Sequence, residues 1–160
     1  GALDLINEEL KLHPDFKRSH YVRGLIYGYR GDFDLAAEDF KMFLEWDPQS
    51  WAGHNDLAWI LSKEGKHKEA KAAILTAFGE ISESKSNPWF WNALGVAELN
   101  LEEYAAAAMS FEKAKKLAAS LTTYDWRLAY PGNSPEDAES GLSAFKKAID
   151  ENLRRAERVK

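Results

Sequence analysis

His13, His20, His54 and His67 are the side chains most suited to proton transfer or metal binding, and the chain has no cysteine. Without thiols there are no disulfides, thiolate ligands or cysteine nucleophiles, so any metal would rest on histidine and carboxylate alone. His20 and His54 lie 34 residues apart. Neither has a third ligand at a helical spacing such as i+4, and packing roles are expected for both rings. Glu8-Glu9 and Glu102-Glu103 are adjacent carboxylates. Neighbours in sequence do not share a helix face, which is poor geometry for an acid–base pair. The glycines form no phosphate loop, and neither Gly-x-Ser-x-Gly nor His-Glu-x-x-His occurs. The sequence therefore reads as a non-enzymatic protein with no cofactor and no metal.

The elements that would position these residues are helices. Apolar residues recur at helical spacing along nearly the whole chain, and no segment alternates apolar and polar residues over strand length. Leu3, Ile6, Leu10 and Leu12 give a first helix that stops at His13-Pro14, since proline has no N–H to donate and disfavours helix in the residue before it. Pairs follow at about 17–30 with 33–47, 51–63 with 67–79, and 88–99 with 102–120. Gly31-Asp32, Gly65-Lys66 and Asn100-Leu101 are the expected turns, with Asn100 taking the left-handed cap in the third pair. A last helix should begin at Ser134, with Pro135 in its first turn and Leu142, Phe145, Ile149, Leu153 and Ala156 turned inward.

Bulk properties agree with a folded chain. At 160 residues, 45% hydrophobic and 29% charged, the sequence is long enough for a core and is expected to form a single domain, 1–160. A net charge of -5 makes nucleic acid a poor partner. Residues 141–160 carry a net +3, read as a solvated basic face near a helix C-terminus. Apolar runs such as Leu57 to Leu61 are too short to cross a bilayer, and no signal-peptide pattern opens the chain. A soluble molecule, or the soluble part of a membrane-attached one, is expected. The compartment is not legible.

Slid against itself, the chain matches at offsets of 34 and then 37 residues: Gly24, Ala58 and Gly95; Ala36, Ala70 and Ala107; Phe40, Ile74 and Phe111. Such a period marks a repeat protein in which each hairpin supplies part of its neighbour's core. Trp91-x2-Leu94-Gly95, followed by Tyr104, Ala107, Phe111 and Ala114, resembles the tetratricopeptide repeat. The first repeat keeps Gly24, Tyr27, Ala36, Phe40 and Pro48 but has His20 where that family has Trp and Arg23 where it has Leu. The second has His54 at the Trp position, lacks the closing proline and gains three residues in the stretch 82–87. The resemblance implies an all-α fold of antiparallel helix hairpins stacked as a right-handed α-solenoid. Its divisions are a half-repeat over 2–14, repeats over 17–50, 51–87 and 88–121, and a degenerate repeat or capping helix over 122–160.

The resemblance further implies a concave groove lined by the first helix of each pair. Its positions map to Tyr21, Leu25 and Tyr29, to Asn55, Trp59 and Lys63, and to Trp89, Asn92 and Val96, with Arg18 and Asn100 at the margins. Leu25, Trp59 and Val96 would form an apolar row beside Tyr21, Asn55 and Asn92. A two-carboxylate clamp used by this family on chaperone tails needs Lys, Asn, Asn, Lys and Arg, whereas this chain has Tyr21, Leu25, Asp56, Trp89 and Ala93 there. The expected partner is instead a peptide or helical segment of another protein, held by aromatic rings and amide groups. Trp59 and Trp89 are equally readable as packing residues, and Trp91 as core. The alternative role is structural: the half-repeat, with Leu3, Ile6 and Leu10 on one face, would stack on another copy or on upstream repeats of a longer parent.

Overall fold

The computed structural model describes residues 1–159, and Lys160 lies outside them. Among the described residues there are nine α-helices, one short 3-10 turn at Ser84–Ser86 and no strand. The chain divides into two compact units, Gly1–Ser84 and Lys85–Lys160. Their boundary falls within the three-residue insertion seen in the sequence.

The first unit holds α1 (Ala2–Leu12), α2 (Lys17–Arg30), α3 (Phe33–Trp46), α4 (Trp51–Lys63) and α5 (His67–Glu80), each packed on the next. Gly31 and Gly65 end α2 and α4 near φ 86° and 80°, a left-handed conformation that glycine adopts without a Cβ clash. Ser50 caps α4 by accepting the Gly53 N–H at 3.1 Å. Between α2 and α3 the Phe40 ring lies under Gly24, where a Cβ would stand 3.0 Å from it. Phe40, Ile60 and Ile74 are fully buried, as the 34-residue echo requires of Phe40 and Ile74.

The second unit holds α6 (Pro88–Asn100), α7 (Tyr104–Ala118), α8 (Thr123–Ala129) and α9 (Pro135–Glu157). Asn87 caps α6 through the N–H groups of Trp89 and Phe90, at 2.9 and 3.3 Å. Ser134 caps α9 through Asp137 N–H at 3.1 Å. The expected inward face of α9 is found: Ala138, Leu142, Ile149, Leu153 and Ala156 are buried, with Phe145 half-buried. Phe111 fills the space beside Gly95, where a Cβ would come within 2.6 Å of its ring.

The third turn corrects the sequence reading. Asn100 stays helical and its amide donates to Val96 O at 2.9 Å. The left-handed residue is Glu102, φ 62°, which stands 37 residues after Gly65. The repeat register, rather than the preference of Asn for that conformation, decided the position.

Candidate functional site

The histidine positions are explained by one hydrogen bond made three times. His20 Nε2 lies 2.8 Å from Pro14 O, and His54 Nε2 lies 2.9 Å from Pro48 O. Trp91 Nε1 donates to Lys85 O at 2.7 Å. In each case a ring nitrogen near the start of a hairpin's first helix meets the carbonyl six residues back, pinning the preceding corner. Histidine substitutes for tryptophan because it keeps a ring N–H at that place. Both histidines are buried, and Trp91 is half-buried against Ala114, Ala118 and Ile149.

His20 belongs to a buried polar network that sequence reasoning passed over. Its Nδ1 is 3.0 Å from Asp39 Oδ1, while Arg23 grips the same carboxylate through Nε and Nη2, each at 2.8 Å. Arg23 also donates to Asn7 Oδ1 at 3.0 Å. The fork-on-carboxylate geometry supplies two charge-assisted bonds, and the bond to Asp39 holds the guanidinium pKa above its ordinary value. Asp39 is 3% exposed, so this network ties α2 to α3 and offers no open site. The signal was present in the sequence, since Arg23 stands where the family has Leu.

In the first unit, α2 carries Tyr21, Leu25 and Tyr29, and α4 carries Asn55, Trp59 and Lys63. Side-chain contacts join the two helices. Tyr29 is 81% exposed, and its ring lies 5.4 Å from that of Trp59, tilted by 52°. Trp59 is half-buried and reaches under α2 at Gly28, where a Cβ would stand 3.0 Å from the indole. Tyr21 packs on Phe40 and Phe43, at 5.6 and 5.1 Å, and its hydroxyl donates to Asp56 Oδ2. Burial pushes the Asp56 carboxyl up to about 6, against the opposing effect of the Tyr21 bond. Leu25 and Asn55 are half-buried and Lys63 is exposed. Thus α2 and α4 present an aromatic pair beside a half-buried carboxylate, with an amide and an ammonium on the same helix as the indole.

In the second unit, Trp89, Asn92 and Val96 lie on α6. Trp89 stacks on Phe145 at 5.4 Å and 17°, and it also meets Trp126 at 5.9 Å and Tyr130 at 6.3 Å. Trp126 is 9% exposed, seats beside Gly141 and donates to Asn133 Oδ1 at 3.1 Å. Val96 packs against the cluster of Ala107, Phe111, Leu153 and Ala156. Asn92 Oδ1 is buried without a hydrogen-bond partner. Among the described residues no group of three His, Cys, Asp or Glu side chains converges as a metal site, and no helix is long and apolar enough to cross a membrane.

Antiparallel helix pairs with small residues at the crossing points and aromatic residues on the first helices define a helical-repeat protein. More narrowly, residues 17–50, 53–80 and 90–121 match the tetratricopeptide repeat, and the chain belongs to that family. Among solved structures it is similar to the TPR2B domain of yeast Sti1, solved in complex with pHsp70. That match has 19% identity and a TM-score of 0.70, covering 90% of this chain and 98% of that one. MamA from Desulfovibrio magneticus RS-1 matches at 19% identity and TM-score 0.66, over 96% of this chain and 84% of that one. The first TPR domain of RPAP3, bound to the HSP90 peptide SRMEEVD, matches at 16% identity and TM-score 0.58, over 86% and 93%. At these identities the likeness speaks to the fold.

Proposed function

We propose that this chain is a protein-interaction scaffold that holds a peptide or helical segment of another protein on the first helices of its hairpins. In the first unit the contact residues are Tyr21, Leu25 and Tyr29 of α2 with Asn55, Trp59 and Lys63 of α4. The observation that carries this reading is the Tyr29–Trp59 pair: a tyrosine ring 81% exposed, held over a tryptophan, is costly to leave in water and suits a binding hot spot. Asn55, one turn from Trp59, can pair with a peptide backbone through both its amide donor and its carbonyl. In the second unit the contact residues are Trp89, Asn92 and Val96 of α6, Asn92 and Val96 standing 37 residues after Asn55 and Trp59. There Trp89 already packs on Trp126 and Phe145, and Asn92 stands three residues further along the same helix.

Sti1 TPR2B and RPAP3, whose solved structures contain pHsp70 and an HSP90 peptide respectively, support a peptide-binding use of the fold. The chemistry here differs from a carboxylate clamp. Tyr21 and Asp56 form the polar contact between α2 and α4, and an anionic tail brought to that spot would meet Asp56. The preferred segment is therefore apolar or aromatic, and not acidic at the residue nearest Asp56. The test is affinity capture with wild-type protein beside Tyr29→Ala and Trp59→Ala, each checked for folding by circular dichroism. Loss of the same partner in both variants supports the assignment. An unchanged partner set with both variants folded rules it out.

A further inference from the structure

We propose, building on the reading of the α2–α4 face as a peptide-binding surface, that the Asp56 carboxylate receives a basic side chain of the bound segment. That side chain is a lysine or arginine about four residues from the apolar anchor that meets Tyr29 and Trp59.

The carboxylate stands among the groove residues without a counter-charge. Asp56 is half-buried on α4, next to Asn55 and one turn before Trp59. Tyr21 of α2 donates to its Oδ2, and among the described residues no second donor and no cation reaches the carboxylate. Arg18 on α2 and Lys63 on α4, the basic residues at groove positions, are exposed and pair with neither oxygen. Burial outweighs the Tyr21 bond and pushes the carboxyl up to about 6, so at pH 7.5 the group is an anion held in a poorly solvated place. A charge in that condition gains from the arrival of an opposite one at close range.

The repeat itself does not require an acid there. Counting 34 residues back and 37 forward, the same position holds Val22 and Ala93. Nor does the tie between α2 and α4 require one, since an asparagine would accept the Tyr21 hydroxyl without burying a charge. The spacing of the partner's residues follows from the helices. Tyr29 stands eight residues beyond Tyr21 on α2, about 12 Å along the axis, and an extended segment covers that distance in about four residues. Trp59 stands three residues beyond Asp56 on the same face of α4. A segment whose apolar residue rests on the Tyr29–Trp59 pair therefore brings a residue about four positions away over the carboxylate.

The probe is a phage-displayed library of random peptides, selected on the whole chain at pH 7.5. Selected peptides should share a lysine or arginine at one aligned position and an apolar residue about four positions from it. The tightest binder is then synthesised with a fluorescein label, in its own form and with norleucine in place of the basic residue, and both are titrated by anisotropy. Norleucine should weaken binding to wild type by at least about tenfold and alter binding to Asp56→Asn by less than about threefold, because the carboxylate is the group that reads the charge. Asp56→Asn keeps the shape of the side chain, and circular dichroism checks its fold. Tyr29→Ala should weaken both peptides alike. Selected peptides with no shared basic position, or a norleucine effect as large on Asp56→Asn as on wild type, overturn the role of Asp56, and a loss of binding in Tyr29→Ala then leaves the groove standing. Peptides indifferent to both Tyr29→Ala and Trp59→Ala, or a library that yields no binder, overturn the groove and the role of Asp56 with it.

Discussion

Replacing Asp56 by asparagine should stabilise the protein, by an amount that depends on pH. The carboxyl is half-buried on α4, accepts the Tyr21 hydroxyl of α2, and is pushed up to about 6 from 3.8 by that burial. A folded-state pKa above the unfolded one means that the native state holds the proton more tightly. The stabilising contribution is then complete below the unfolded value and is lost as pH rises through the folded one. At 1.36 kcal/mol per unit, a shift of about two units corresponds to roughly 3 kcal/mol lost between pH 4 and pH 7. Asparagine has the same shape, keeps an oxygen for Tyr21 and carries no charge at any of these pH values. Asp56→Asn should therefore match wild type near pH 4 and exceed it by about 1–3 kcal/mol at pH 7.5, the lower figure allowing for water reaching the site. Urea denaturation followed by circular dichroism, with both proteins at each pH, isolates this group because all other titrations cancel in the difference. A difference constant from pH 4 to 8, or a variant less stable at pH 7.5, would refute the reasoning.

Other perturbations have equally definite outcomes. Glu102→Gly should raise stability by about 1 kcal/mol in thermal or urea melts, because a side chain at φ 62° pays a steric cost that glycine avoids. Gly95→Ala should lower it by about 1–3 kcal/mol, since the Cβ would stand 2.6 Å from the Phe111 ring and that overlap outweighs alanine's better helix propensity of about 1 kcal/mol. Asp39→Ala removes the carboxylate that Arg23 grips and that faces His20 Nδ1, and should cost about 3–5 kcal/mol in the same melts. Tyr29→Ala should leave the melting curve within about 0.5 kcal/mol of wild type while weakening partner binding by about 2 kcal/mol in titration calorimetry.

The fold was legible because it repeats. Gly31, Gly65, Pro48 and the Ala36, Ala70 and Ala107 series mark helix ends and crossings by local stereochemistry, and the structure places helices there within a residue or two. Residue preference misled at the third turn, where the register pointing to Glu102 outweighed the general liking of Asn for a left-handed cap. The candidate site was less legible, because exposure is a property of packing rather than of residue type. Tyr29 and Tyr21 lie two helical turns apart on α2, yet one is open to solvent and the other packs on Phe40 and Phe43. Trp59 and Trp89 read alike in sequence. Trp89 proved to be enclosed by Trp126, Tyr130 and Phe145, partners drawn from the irregular segment and the last helix, where the repeat had decayed. The His20–Arg23–Asp39 network joins residues up to 19 apart and required the α2–α3 hairpin to be seen.

The central claim is that the face bearing Tyr29 and Trp59 holds another protein. It is tested most directly by placing a photo-crosslinking phenylalanine analogue at Tyr29 and, as a control, at Met42, a 40% exposed residue on α3. Irradiation with the partner recovered by affinity capture should give a crosslinked peptide from one contiguous segment at Tyr29, suppressed by Trp59→Ala, and little from Met42. Equal yields at the two positions, or crosslinks at Tyr29 that persist unchanged in Trp59→Ala, would contradict it.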